Sequence, residues 1–138
     1  MSKIEFKKNI IPQIEDLAKL YNNVEWYNYT KDLKVLKKAF ENSLLIISAW
    51  DKDNLVGLLR AVGDGQTIMY IQDVLINKQY QRQGIGSQLM KSVIDKYGHI
   101  RQKVLLTDNE EATISFYKSC GFVTTDSCNA VAFINIAK

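Results

Sequence analysis

A chain of 138 residues, 46% of them apolar, is long enough to bury one core, and no Pro-, Gly- or Ser-rich linker breaks it, so a single domain spanning 1–138 is expected. The net charge of +3 comes from scattered rather than clustered basic residues, which argues against a nucleic-acid partner and suits a small anionic one. Two cysteines and one histidine supply neither a disulfide framework nor a metal site, and no apolar run or signal-type start points to a membrane, so a cytoplasmic protein is expected.

Ile4 to Phe6 begins the chain as a short strand. Ile10, Ile14, Leu17, Ala18 and Tyr21 then trace one helical face, with Pro12 in the first turn and an end near Asn22-Asn23. Thr30 is the N-cap expected for a second helix that buries Leu33, Leu36, Ala39 and Phe40. Between these helices lies an aromatic loop, Val24-Glu25-Trp26-Tyr27-Asn28-Tyr29. Leu44 to Trp50 and Leu55 to Val62 read as a hairpin turned at Asp51–Asn54, and Gly63-Asp64-Gly65 leads into a third antiparallel strand over Thr67–Ile76. A helix follows from Ile85, with Leu89, Met90, Val93, Ile94 and Tyr97 at helical spacing and Gly98 as its stop. Lys103 to Thr107 is a strand, Glu111 to Cys120 a helix ended by Gly121, and final strands are expected near Phe122 and over Val131–Ile136.

The hexapeptide Gln81-Arg82-Gln83-Gly84-Ile85-Gly86 joins an apolar strand directly to an amphipathic helix. Glycines there let backbone approach a ligand, and first-turn amides without intrahelical partners, together with the macrodipole, favour a phosphate or pyrophosphate. Position 89 is Leu, so the third glycine of a dinucleotide fingerprint is missing, and no Lys-Ser/Thr follows as a P-loop requires.

What remains, Gln/Arg-x-x-Gly-x-Gly/Ala between strand and helix, resembles the acetyl-CoA pyrophosphate loop of the GNAT superfamily of N-acetyltransferases. The segment Phe116-Tyr117-Lys118-Ser119-Cys120-Gly121-Phe122, about 35 residues downstream, resembles that family's element after the fifth strand. The resemblance implies an α/β fold with a mixed, mostly antiparallel sheet of six to seven strands and helices on both faces. It implies that the fourth and fifth strands splay apart and that acetyl-CoA enters as cosubstrate, with no metal. Matching positions put its contacts on the backbone of Val74, Leu75 and Ile76 and on the loop amides of Gln81, Arg82, Gln83, Gly84, Ile85, Gly86 and Ser87. The family often has Asn seven residues before the Tyr, where this chain has Glu110, so Asn109 is the candidate for that pantetheine contact. Members often dimerise, which makes a homodimer possible here and leaves the oligomeric state open.

Acetyl transfer to an amine needs a neutral nucleophile, a donor for the developing oxyanion and a proton for the leaving thiolate. A strand amide at Val74 or Leu75 is the candidate oxyanion donor, aided by a β-bulge that would free it from the ladder. Tyr117 is the candidate acid; its alternative is an aromatic packed at the edge of the core. Asp73, a carboxylate inside an apolar strand, reads either as general base or as a hydrogen-bonded structural residue, and Glu25 is the other candidate base. Trp26, Tyr27 and Tyr29 are the candidate acceptor-binding residues, because the family binds its acceptor between the first two helices and the meander and aromatic faces suit ammonium or aryl amines. The expected function is acetyl transfer from acetyl-CoA to a primary amine, of a small molecule or of a protein lysine or N-terminus, by direct attack in a ternary complex. The alternative is a CoA- or acyl-CoA-binding regulatory module without turnover.

Overall fold

The computed structural model, which describes residues 3–137, has five strands in one sheet, ordered β1-β2-β3-β4-β5 as in the chain. They are β1 (Ile4–Lys8), β2 (Leu45–Asp51), β3 (Asn54–Gly63), β4 (Ile68–Ile76) and β5 (Gln102–Leu105). Helices α1 (Ile14–Asn23) and α2 (Leu33–Glu41) connect β1 to β2, α3 (Ile85–Tyr97) connects β4 to β5, and α4 (Glu111–Ser119) follows β5. The first four strands pair antiparallel and β5 runs parallel to β4, which is the mixed, mostly antiparallel α/β class expected.

The strand count is lower than the expected six to seven. Neither the strand near Phe122 nor the one over Val131–Ile136 forms among the described residues; a short 3-10 turn, Thr125–Cys128, lies between them. A β-rich pattern becomes a strand only when a neighbour completes its ladder, and residues 131–137 have no backbone hydrogen bond among the described residues.

The chain divides into two compact units, Met1–Leu106 and Thr107–Lys138. In the first, α1 starts at Ile14, later than the pattern suggests, leaving Ile10 outside it and 59% exposed, and buries Leu17, Leu20 and Tyr21. The N-cap of α2 is Asp32, not Thr30: its carboxylate accepts the amides of Lys34 and Val35 at 3.1 and 3.3 Å. A cap must stand immediately before the first helical residue, and Thr30 stands too early; its hydroxyl donates to Asn22 Oδ1 instead. Leu36 and Phe40 are buried as expected, while Leu33 is exposed.

Leu17, Leu20, Tyr21, Leu36 and Phe40 pack with Ile46, Trp50, Leu58 and Leu75 to form the core on one side of the sheet. On the other side α3 brings Ile85 against Gly57, where a Cβ would meet Ile76, Ile85 and Ala49 at 3.1, 3.1 and 3.2 Å.

A bulge in β4 decides which residues face which side. Arg60 pairs with Asp73 but its neighbour Ala61 pairs with Ile71, so Gln72 is the extra residue. Adjacent residues of β3 point to opposite faces and paired residues share a face. Ile71 and Asp73 therefore face opposite sides although two positions apart, and strict alternation fails at this point.

Candidate active site

The strand-to-helix joint is built around left-handed backbone. Arg82 has φ 65° and Gly84 has φ 84°, and no side chain caps the N-terminus of α3. The first loop or helix amide to find a backbone carbonyl is that of Gln88, which donates to Gly84 at 3.1 Å. Among the described residues the amides of Arg82 through Ser87 have no acceptor, and space lies open where a Cβ on Gly84 would project. Such a run of orphan donors at the positive end of a helix dipole fits a pyrophosphate.

The loop is held at its root. Asn77 caps the turn Lys78–Tyr80 by accepting the amide of Gln79 at 2.9 Å, and Gln81 Nε2 donates to the carbonyl of Ile76 at 3.1 Å. Tyr80 donates to Asp51 Oδ2 at 2.6 Å. Asn23, at the end of α1, accepts the amide of Lys78 at 2.8 Å. Beside this root, Lys19, Asn23, Leu55, Asn77 and Tyr80 line part of a cavity of about 330 Å³.

The edge of β4 opens next to that loop. Pairing with β5 runs from Ile68↔Gln102 to Ile71↔Leu105 and stops, so Gln72 to Ile76 have no β5 partner. The amide of Asn77 donates to Val56 in β3 at 2.8 Å. Alternation along the antiparallel ladder then turns the amides of Val74 and Ile76 to the open edge and that of Leu75 to β3. The side chain of Leu75 is buried in the core.

Asp73 is buried, and three donors converge on it. Arg60 Nε and Tyr21 Oη donate to Oδ2 at 2.8 and 2.9 Å, and Tyr29 Oη donates to Oδ1. Gln72 Nε2 donates to Tyr29 Oη at 3.0 Å, so the residue that makes the bulge is tied to the same hydroxyl. Burial, then Asp73, raise the Tyr21 phenol; the same causes push Tyr29 up to about 12. Burial pulls the Arg60 guanidinium down, but the charge and hydrogen bond of Asp73 outweigh it and hold it above its usual value.

The sequence indicated Asp73 and Tyr29 separately, and Arg60 and Gln72 as residues that could line the site with their faces unassigned; that Tyr29, Arg60 and Tyr21 all donate to Asp73 was not foreseen. The signal lay in the hairpin turned at Gly63–Gly65, which sets Arg60 opposite residue 72 or 73. Tyr29 stacks on Tyr21 with centroids 4.7 Å apart, and Trp26 lies 6.0 Å from Tyr29. Both Trp26 and Tyr29 pack against the core, whereas Tyr27 is 55% exposed. Glu25, at φ 65°, forms an exposed ion pair with Lys78 at 2.7 Å, and that hydrogen bond lowers its carboxyl further.

In the second unit, α4 ends in a Schellman motif: the amide of Phe122 donates to Tyr117 O and that of Gly121 to Lys118 O, both at 3.1 Å, with Gly121 at φ 93°. This closure brings the Tyr117 ring edge-on to Phe122, 6.3 Å away, with Phe116 at 5.0 Å. Burial, then the neighbouring Cys120, push the Tyr117 phenol up to about 12. Asn109 is exposed in the turn before α4, and Glu110 is the N-cap residue without a side-chain capping bond.

A family model described as an acetyltransferase (GNAT) domain matches residues 13–137. The chain is similar to an uncharacterized N-acetyltransferase, ycf52, of Gracilaria tenuistipitata var. liui: 34% identity over 122 residues, 84% of this chain and 65% of the relative. The chain thus spans about two thirds of the length of that curated relative. Among solved structures, a GNAT-family acetyltransferase from Streptococcus pneumoniae TIGR4 aligns with TM-score 0.88 and 38% identity, covering 99% of both chains. AAC(6')-Iy in complex with the bisubstrate analog CoA-S-monomethyl-acetylneamine shares the fold, with TM-score 0.74 and 16% identity over 99% of this chain and 100% of that one.

Proposed function

The chain belongs to the GNAT acetyltransferase family, and from that premise we propose that it transfers acetyl from acetyl-CoA to a primary amine by direct attack in a ternary complex. The observation that carries this reading is the open edge of β4 beside a run of unpartnered loop amides. The family model spans parts of both units, which supports reading 1–138 as one acetyltransferase domain.

In this reading the amides of Arg82 to Ser87 hold the pyrophosphate, and the amides of Val74 and Ile76 receive the pantetheine arm and the thioester oxygen. Leu75 contributes core packing beneath that edge, and Asn109 the pantetheine contact before α4. Tyr117 donates the proton that the leaving thiolate takes up; its phenol stays protonated through the neutral range, and the transfer to a thiolate is therefore the step it can serve. The attacking amine loses its proton to the Tyr29 hydroxyl as that hydroxyl passes its own to Asp73, which makes Asp73 the base at one remove. Trp26, Tyr27 and Tyr29 form the aromatic wall for the acceptor, with Tyr27 the most exposed ring.

Small amines and protein amines both remain within this class of acceptor. Among the described residues no helix is long and apolar enough to cross a membrane. The experiment is release of free thiol when protein, acetyl-CoA and a panel of primary amines are mixed. Amine-dependent thiol release is the expected result; binding of CoA without turnover on any amine would return the protein to a regulatory module.

A further inference from the structure

Gln72 stands where the bulge and the open edge of β4 meet. It is the extra residue opposite Arg60 and Ala61, and it follows Ile71, the last residue of β4 that pairs with β5. Its side chain is exposed, yet it is tied to Tyr29 Oη at 3.0 Å.

Chemistry fixes the direction of each bond at that hydroxyl. A phenol has one proton to give, and the Asp73 carboxylate, which can only accept, takes it. The other partner of Tyr29 Oη must therefore be a donor, which assigns Gln72 Nε2 to it and leaves Oε1 over. Two acceptor positions remain. Tyr29 Oη keeps a second lone pair, and Gln72 Oε1 has no hydrogen-bond partner among the described residues. Nε2 and Oε1 belong to one planar amide, so the free oxygen lies one amide group from the hydroxyl. One donor nitrogen can reach both.

We propose that Gln72 Oε1 and Tyr29 Oη form a two-point grip on the acceptor nitrogen, and that Gln72 thereby selects primary amines over secondary ones. This rests on the acetyl-transfer reading, in which the amine gives its proton to Tyr29. A primary amine fills both acceptors. As the C–N bond forms, one N–H proton passes to Tyr29 Oη and Tyr29 gives its own to Asp73, while the C–S bond breaks and the departing thiolate takes the proton of Tyr117. The second N–H stays with Gln72 Oε1. A secondary amine has a single N–H, which Tyr29 requires, and its extra carbon is turned to Oε1. Substrate then covers that oxygen without offering it a donor, and an acceptor left unmet in this way is what lets a polar site reject an analogue.

The test measures kcat/KM by thiol release, at saturating acetyl-CoA, for the best primary amine of the panel and for its N-methyl analogue. Wild type, Gln72→Met and Gln72→Ala are compared. Wild type should favour the primary amine, and both variants should lower that preference about tenfold, roughly what one net hydrogen bond supplies. Loss of the hold on Tyr29 slows both amines alike, so the ratio reports Oε1. Melting temperature and acetyl-CoA affinity should keep their wild-type values, since the side chain is exposed and lies outside the glycine loop. A wild type that shows no preference, or a preference that survives both substitutions, would overturn the grip and leave acetyl transfer standing. Absence of turnover on every amine would overturn the acetyl-transfer reading itself, and the grip with it.

Discussion

Arg60 Nε lies 2.8 Å from Asp73 Oδ2 across the β3–β4 ladder, with the Asp73 side chain fully buried and that of Arg60 8% exposed. Removing one member of a buried ion pair strands the other charge, a loss of about 3–5 kcal/mol. Asp73→Asn keeps the shape and removes the charge, so urea unfolding should show a stability loss of that order. Arg60→Met should cost a similar amount when made alone, while the double variant Arg60→Met/Asp73→Asn should recover part of the loss. Additive losses in the two single variants would mean that the pair does not act as a unit.

The loop prediction concerns cofactor alone. Gly86→Glu places a side chain and a negative charge in the first turn of α3, against the proposed pyrophosphate. Calorimetry should find acetyl-CoA binding weakened by more than a hundredfold, with the melting temperature little changed. Wild-type affinity in a folded Gly86→Glu protein would remove the loop from the site.

Tyr117→Phe keeps the ring against Phe116 and Phe122 and deletes the proton donor. Turnover on the best amine should fall on the order of a hundredfold, as for loss of a general acid, with acetyl-CoA affinity retained. Unaltered kcat would leave Tyr117 as packing for the end of α4.

Tyr29 and Tyr27 should separate in kinetics. Tyr29→Phe keeps the stack on Tyr21 but cuts the link to Asp73, so kcat should fall on the order of a hundredfold if the proton leaves by that route. Tyr27→Ala removes an exposed ring and should raise KM for the amine while leaving kcat and the melting temperature nearly constant, as expected for lost uniform binding. A Tyr27→Ala protein with wild-type KM would take that ring out of the acceptor wall.

Alkaline pH should unfold the protein through its tyrosines. Tyr29 and Tyr117 are raised to about 12 and Tyr21 is raised as well, whereas an unfolded tyrosine titrates near 10. Between those values the folded state holds protons that the unfolded state has released, so stability falls as pH rises through that window. Phenolate absorbance from these three rings should therefore emerge together with loss of the fold, and Tyr29→Phe should flatten the slope. Full titration of all tyrosines in a still-folded protein would contradict the burial described for Tyr21.

Most of the sheet and all four helices were legible because each carries its own period, as in Leu17, Leu20 and Tyr21 or Leu89, Met90 and Val93. The glycine loop was legible because an anion site needs a particular backbone rather than distant partners. Asp73 was legible only as an anomaly, since the bulge at Gln72 inverts alternation and its partners Tyr21 and Tyr29 come from a different part of the chain. The N-cap at Asp32 was missed because two capping residue types stand two positions apart and only the first helical turn chooses between them. The tail pattern at Val131–Ile136 was read as strand because an apolar, β-branched run reports what a segment could pair with, not whether a ladder forms.

Gly57 gives the anion loop a fixed floor. An added Cβ at that position in β3 would press on the side chains of Ile85 and Ile76 at 3.1 Å, so Ile85, the first residue of α3, must give by a few tenths of an ångström beneath the row of amides. A residue far from any proposed ligand contact thus acts as the height gauge of the cofactor mouth, and position 57 should tolerate substitution less well than several positions in the loop itself.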